Sequence, residues 1–143
     1  MADMQDLHLV ACVRRKHREA LPAAELYCSP WFLKARRYVE KRGVPWLILS
    51  AMHGVIEPHQ VIEPYELSLN HLDAMSRREW GRRVIAELMA RGHCRNERIV
   101  FLAGALYRDP IAEWIGQRAV VPMRGLAIGQ QLAWLNQAVK DCR

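Results

Sequence analysis

The sequence predicts an α/β domain of three layers, with a mainly parallel sheet of about four strands flanked by helices. Three observations predict it. Short apolar runs of strand length recur at 7–13, 46–49, 98–103 and 119–123. Longer segments between them repeat their apolar residues at helical spacing. The two kinds of segment alternate along the chain, and parallel strands require such crossover connections. No internal repeat, linker or low-complexity stretch interrupts the pattern. The 143 residues therefore read as one domain, 1–143, long enough for a single core.

The elements follow in order. The run at 7–13, LHLVACV, has the continuous apolarity of a strand buried on both faces. A connection containing Pro22 and a helical turn at Ala23–Tyr27 leads to Ser29-Pro30, a good helix entrance with Ser as cap and Pro at the first helical position. The spacing predicts a helix over 30–42 with Trp31, Phe32, Ala35, Tyr38 and Val39 facing inward and Gly43 ending it. The second strand, Trp46–Leu49, stops at Ser50 and gives way to a long loop, 50–70. Two Glu-Pro steps restrict that loop, at Glu57-Pro58 and Glu63-Pro64. A loop of this length in a compact chain is uncommon and usually functional or disordered.

Asn70, Asp73 or the Ser76-x-x-Glu79 box starts the next helix, in which Trp80, Val84, Ile85, Leu88 and Met89 repeat at helical spacing. That helix ends near Arg91-Gly92, and a polar turn, His93–Glu97, precedes the third strand. A short helix through Tyr107, Ile111, Trp114 and Ile115 stops at Gly116. The fourth strand, AVVPM at 119–123, has Pro122 near its end. The segment Arg124–Gln131 opens a last helix carrying Leu132, Leu135 and Val139.

Composition narrows the class. A hydrophobic share of 51% excludes a disordered chain. No apolar run reaches the roughly 18–20 residues of a membrane span, so no membrane partner is expected. The acidic start, MADMQDLHLV, lacks the basic region of a secretory signal, and the expectation is a soluble cytoplasmic protein. The four cysteines, Cys12, Cys28, Cys94 and Cys142, include no C-x₂-C pair, and His53, His59 and His71 lack H-E-x-x-H spacing. Free thiols and no metal site are expected. The stretch Arg124-Gly125-Leu126-Ala127-Ile128-Gly129 matches neither the Walker loop nor the dinucleotide fingerprint, so no cofactor is implied. Its glycines serve either as a phosphate cradle or as a close-packing device.

The net charge of +6 suits a polyanionic partner, or simply a basic surface. The cations cluster at 14–18, 34–42 and 77–83. In a parallel sheet four strand ends fall on one rim, where ligands collect in open α/β folds. That rim would present Cys12 with Arg14 and Lys16, Ser50 with His53, Gly104 with Tyr107, and Arg124 with Gly125. Gly54 and the other glycines allow a ligand to approach the backbone. His53 has the pKa range of an acid–base group. Glu63, fixed before Pro64-Tyr65, is a candidate carboxylate for positioning water. Ser50, His53 and Glu63 are thus the candidate catalytic residues. Cys12, Arg14, Lys16, Gly54, Tyr65, Gly104, Tyr107, Gly125 and Gln130 are the candidate ligand-binding ones.

Four motifs, Leu49-Ser50-Ala51-x-His53-Gly54, Ile62-Glu63-Pro64-Tyr65, Phe101-Leu102-Ala103-Gly104-x-x-Tyr107 and Gly125-x-x-Ile128-Gly129-Gln130, together resemble a small bacterial domain family of unassigned function. The resemblance runs from Cys12 to Asn136. More loosely, the first two motifs are similar to a stretch of YaaA-type peroxide-stress proteins, which are linked to DNA binding. They also resemble the uracil-DNA-glycosylase-like domain of archaeosine synthases. His53 stands where the YaaA pattern has Tyr. These resemblances imply recognition of a nucleobase or nucleic acid.

The expected function is therefore a nucleotide- or nucleic-acid-interacting domain. Its expected chemistry is N-glycosidic cleavage or base exchange. Arg14 and Lys16 would grip phosphate, Ser50 and His53 orient base or sugar, Glu63 position water, and Tyr65 or Tyr107 stack. The alternative is a non-catalytic DNA- or RNA-binding module of stress or mobile-element biology. That reading requires the three basic clusters to share one surface.

Overall fold

The computed structural model describes residues 6–93 and 97–142. The first five residues, Cys94 and the rest of the polar turn at 94–96 lie outside the described residues. The elements run β1 (Leu7–Ala11), β2 (Leu21–Pro22), α1 (Ala23–Leu26), α2 (Pro30–Arg42), β3 (Trp46–Ser50), β4 (Gly54–Ile56) and β5 (Val61–Ile62). They continue with α3 (Ala74–Ala90), β6 (Ile99–Leu102), α4 (Ala105–Ile115), β7 (Ala119–Val120) and α5 (Ile128–Asp141).

The main sheet has five strands in the order β4-β3-β1-β6-β7. β1 pairs in parallel with both β3 and β6, and β6 pairs in parallel with β7. The expected parallel strands are all present, and β4 adds an antiparallel edge through Ser50↔Gly54 and Ile48↔Ile56. Helices cover both faces, because successive strand residues point to opposite sides. Val10, Ile48 and Leu102 pack with Phe32 and Tyr38 of α2 and Leu135 of α5. Leu9, Leu49 and Phe101 pack with Trp80 and Val84 of α3 and Ile111 of α4. Phe32 is fully buried, and truncating such a ring to alanine costs about 3–5 kcal/mol.

Local signals set the helix ends. Ser29 Oγ accepts from the Phe32 amide, and Gly43 closes α2 in the left-handed region at φ 66°. Asp73 is the cap that starts α3, its Oδ1 accepting from the Ser76 amide at 2.8 Å. Asn70 lies earlier, in a 3-10 turn over Leu69–His71 capped by Ser68. Of the α3 face expected to point inward, Trp80, Val84 and Leu88 are buried, whereas Met89 is exposed.

Two expectations need correction. The stretch 50–70 is not one loop. β4 extends the main sheet, and β5 pairs with β2 in a separate two-stranded ribbon. Periodicity alone does not reveal strands of two or three residues. The fourth strand is Ala119–Val120 rather than 119–123. It is an edge strand, and Pro122 has no N–H to extend its ladder.

His8 sits in the middle of the sheet, 1% exposed, with Nδ1 3.1 Å from the Asp6 carbonyl. Burial lowers its pKa below 6.5, and nearby Arg42 adds to that, against the opposing pull of Asp6. A lowered histidine pKa means that the unfolded chain binds the extra proton first. The stabilisation is complete above about pH 6.5 and is lost as pH falls through the lowered value. The expected result is a loss of stability below about pH 6.5 with a slope up to about 1.4 kcal/mol per pH unit. Denaturant melts across pH check it, and His8→Leu should flatten that limb.

Candidate functional site

The parallel pairing places Cys12 and Gly104 just past the ends of β1 and β6 and Ser50 at the last position of β3, all on one rim. Between β3 and β6 the chain crosses from one side of β1 to the other. The crevice between the ends of β1 and β6 is thus the topological switch point, where open α/β sheets hold ligands. A hollow of about 430 Å³ lies there, within the usual range of ligand sites. Cys12, Arg14 and Lys16 form one wall, Tyr107 another, and Glu66, Ser68, Asn70 and His71 close it from the connection before α3.

The rim holds other hollows as well. One of about 410 Å³ shares Arg14, Lys16 and Glu66 with the first and is lined further by His17, Arg18 and Tyr65. Another, of about 620 Å³, gathers His53, Gln60, Glu63, Tyr65 and Glu66. A smaller one, about 190 Å³, holds Gly104, Gly125, Arg108 and Gln131. The candidate residues therefore share an edge but face several hollows, with Tyr65, Glu66 and Lys16 dividing them.

Tyr65 is fixed by a chain of buried hydroxyls. Its OH lies 2.6 Å from Tyr27 OH and 2.6 Å from Ser50 Oγ. Ser50 also accepts the His53 amide at 3.0 Å, and its carbonyl accepts from Trp80 Nε1 at 2.8 Å. Burial pushes both phenols well above the usual tyrosine range. Ser50 is fully buried, so its hydroxyl supports Tyr65 rather than facing a hollow. The Lys16 ammonium sits 4.4 Å from the Tyr65 ring centroid, and the His53 ring meets Tyr65 edge-on at 5.4 Å. Tyr65 is 8% exposed and covered by these neighbours, which leaves Tyr107 as the aromatic wall of the switch-point hollow. Tyr107 OH accepts from Cys12 Sγ at 3.3 Å, and Trp80 packs against its ring edge-on. Burial raises the Tyr107 phenol too.

Burial and the neighbouring Arg83 lower the His53 pKa, against the opposing pull of Glu87. Lys16 is lowered chiefly by burial, opposed by Cys12 and Glu66. Its amine donates to the Arg14 carbonyl at 3.1 Å.

Several candidates have structural duties. Gly54 takes φ 74°, and a Cβ there would lie 2.7 Å from Glu87 Oε1. The space it leaves lets Glu87 accept the Val55 amide at 2.8 Å, while Arg83 donates to the Met52 and His53 carbonyls. Gln130 caps α5, its Oε1 accepting from the Ala127 amide, and its neighbour Gln131 lines the small hollow instead. Glu66, Ser68, Asn70 and His71 were not among the site residues expected from the sequence, where Asn70 stood only as a helix cap and His71 only as a rejected metal ligand. The adjacency of Glu66 to Pro64-Tyr65 was the available signal for the first of them.

These features define a three-layer α/β domain with a mostly parallel sheet and several hollows along its carboxyl rim. Residues 7–137 match the model of a family of unknown function, DUF6884, and the chain belongs to that family. It is also similar to the uncharacterized protein YfjM of Bacillus subtilis, at 27% identity over 150 residues, covering 96% of this chain and 97% of that protein. No helix among the described residues is long and apolar enough to cross a membrane.

Proposed function

We propose that the chain binds a nucleotide in the hollow between the ends of β1 and β6 and hydrolyses its N-glycosidic bond. The observation that supports this most is the make-up of that hollow: two cations, one carboxylate and one aromatic wall at the switch point. Arg14 and Lys16 would hold the phosphate through charge-assisted hydrogen bonds. Tyr107 would lie against the base. Glu66 would take a proton from the water attacking the sugar C1′, and the base would leave with the bonding electron pair and acquire a proton. Glu63 and His53 would flank the reaction from the neighbouring hollow.

The purely DNA- or RNA-binding alternative gains less from the fold. The cations at 34–42 ride on α2 and those at 77–83 on α3, and these helices cover opposite faces of the sheet.

Two assays test the reading: equilibrium binding of nucleoside monophosphates, and chromatography of released base. Glu66→Gln is expected to lower base release by about 10²–10⁴-fold with binding nearly unchanged. Binding without released base would reduce the reading to its binding half. No binding by any nucleotide would refute it.

A further inference from the structure

We infer that the ligand is a single-stranded nucleic acid rather than a free mononucleotide, with the basic hollow at 14–18 serving as the lane for the flanking strand. The inference rests on the nucleotide reading of the switch-point hollow and names its substrate class.

Two hollows meet along a shared wall of Arg14, Lys16 and Glu66. The inner one has the dimensions of a site for one nucleotide unit. The outer one is more open and adds Arg18, so positive charge continues outward past what a single phosphate needs. Like Arg37 on α2, Arg14, Lys16 and Arg18 form no ion pair with another described residue and are free to meet phosphate. Glu66 is the one carboxylate lining both hollows.

The order of the residues fits a polymer. Lys16 is held in place across Tyr65, with its backbone bridged to Tyr27. Arg14 and Lys16 thus stand at the junction, where the phosphate joining an inner unit to its neighbour would lie. Arg18 stands on the outer side, where the next phosphate would follow. A base held in the inner hollow must be unstacked, which a single strand permits at lower cost than a duplex. Phosphate contacts of this kind release counterions, so affinity for the strand falls with salt.

The test compares a nucleoside monophosphate, a single-stranded pentanucleotide of mixed sequence and the matching duplex, titrated against the full chain at several salt concentrations. Arg18→Ser removes the outer cation, and Arg37→Ser removes an exposed cation on α2 as a charge-matched control. The pentanucleotide is expected to bind at least tenfold tighter than the monophosphate and tighter than the duplex, with the steeper salt dependence. Arg18→Ser should remove most of that advantage, leave monophosphate affinity within twofold, and differ clearly from Arg37→Ser. Equal affinity for monophosphate and pentanucleotide would overturn the lane and leave the nucleotide reading standing. Equal losses in Arg18→Ser and Arg37→Ser would also overturn it, by showing a diffuse charge effect. Binding of none of the three probes would overturn both readings.

Discussion

Replacing Arg14 with Ala and Lys16 with Met is expected to weaken nucleoside monophosphate binding by about 10²–10⁴-fold with little loss of stability. Hydrogen bonds to charged groups contribute roughly 1.5–3 kcal/mol each, and two such losses convert to that range. Arg14 is exposed, so its loss removes no core packing. Lys16 is half-buried and its amine lies over Tyr65, which is why Met is the suitable replacement. Its unbranched stem can still cover the ring. Calorimetric titration with a matched thermal melt separates the two effects. A double variant that melts as wild type and binds as wild type would remove the cations from the site.

Tyr65→Phe is expected to destabilise the fold by about 2–3 kcal/mol, a large effect for the loss of one oxygen. The hydroxyl bridges Tyr27 and Ser50 in the interior, and its removal strands polar partners away from water. Tyr27→Phe removes only one end of the chain and should cost less. Denaturant midpoints at unchanged slope measure both, and a double-mutant cycle gives their coupling. The same phenols predict an alkaline limit. Their pKa values are raised above the ordinary 10.0, so their stabilisation is complete below about pH 10. It is lost as pH rises through the raised values, and Tyr65→Phe should soften that loss.

Much of the architecture was legible because each level of the sequence agreed with the next. Helix α2 carried its own punctuation, with Ser29-Pro30 before it and Gly43 after it. β1, β3 and β6 were continuous apolar runs, and their burial on both faces follows from their central places in the sheet. The short strands β4 and β5 left no periodic trace, since two or three residues cannot establish a repeat. The rim was legible once parallel pairing was assumed, and Cys12, Arg14, Lys16 and Tyr107 do line one hollow.

The division of labour along that rim was not legible. Ser50 carries the polar side chain of a site residue, yet its hydroxyl is spent on Tyr65 and the His53 amide. Gly54 looks like a ligand-facing glycine in the sequence, but the space it leaves is taken by Glu87. Glu66 was hidden behind Glu63, three residues earlier, which carries the Pro64-Tyr65 signal, although the two carboxylates line one neighbouring hollow together. Only the three-dimensional path of the connection places Glu66 against Arg14 and Lys16.

The most direct test of the ligand site at the switch point is a ¹⁵N–¹H NMR titration of the labelled chain with a nucleoside monophosphate. Saturable shifts should concentrate at Cys12–Lys16, Glu66–His71 and Tyr107. Shifts confined to the α2–α5 surface around Leu33 and Lys140, or no saturable shifts at all, would contradict a nucleotide site at the meeting of β1 and β6.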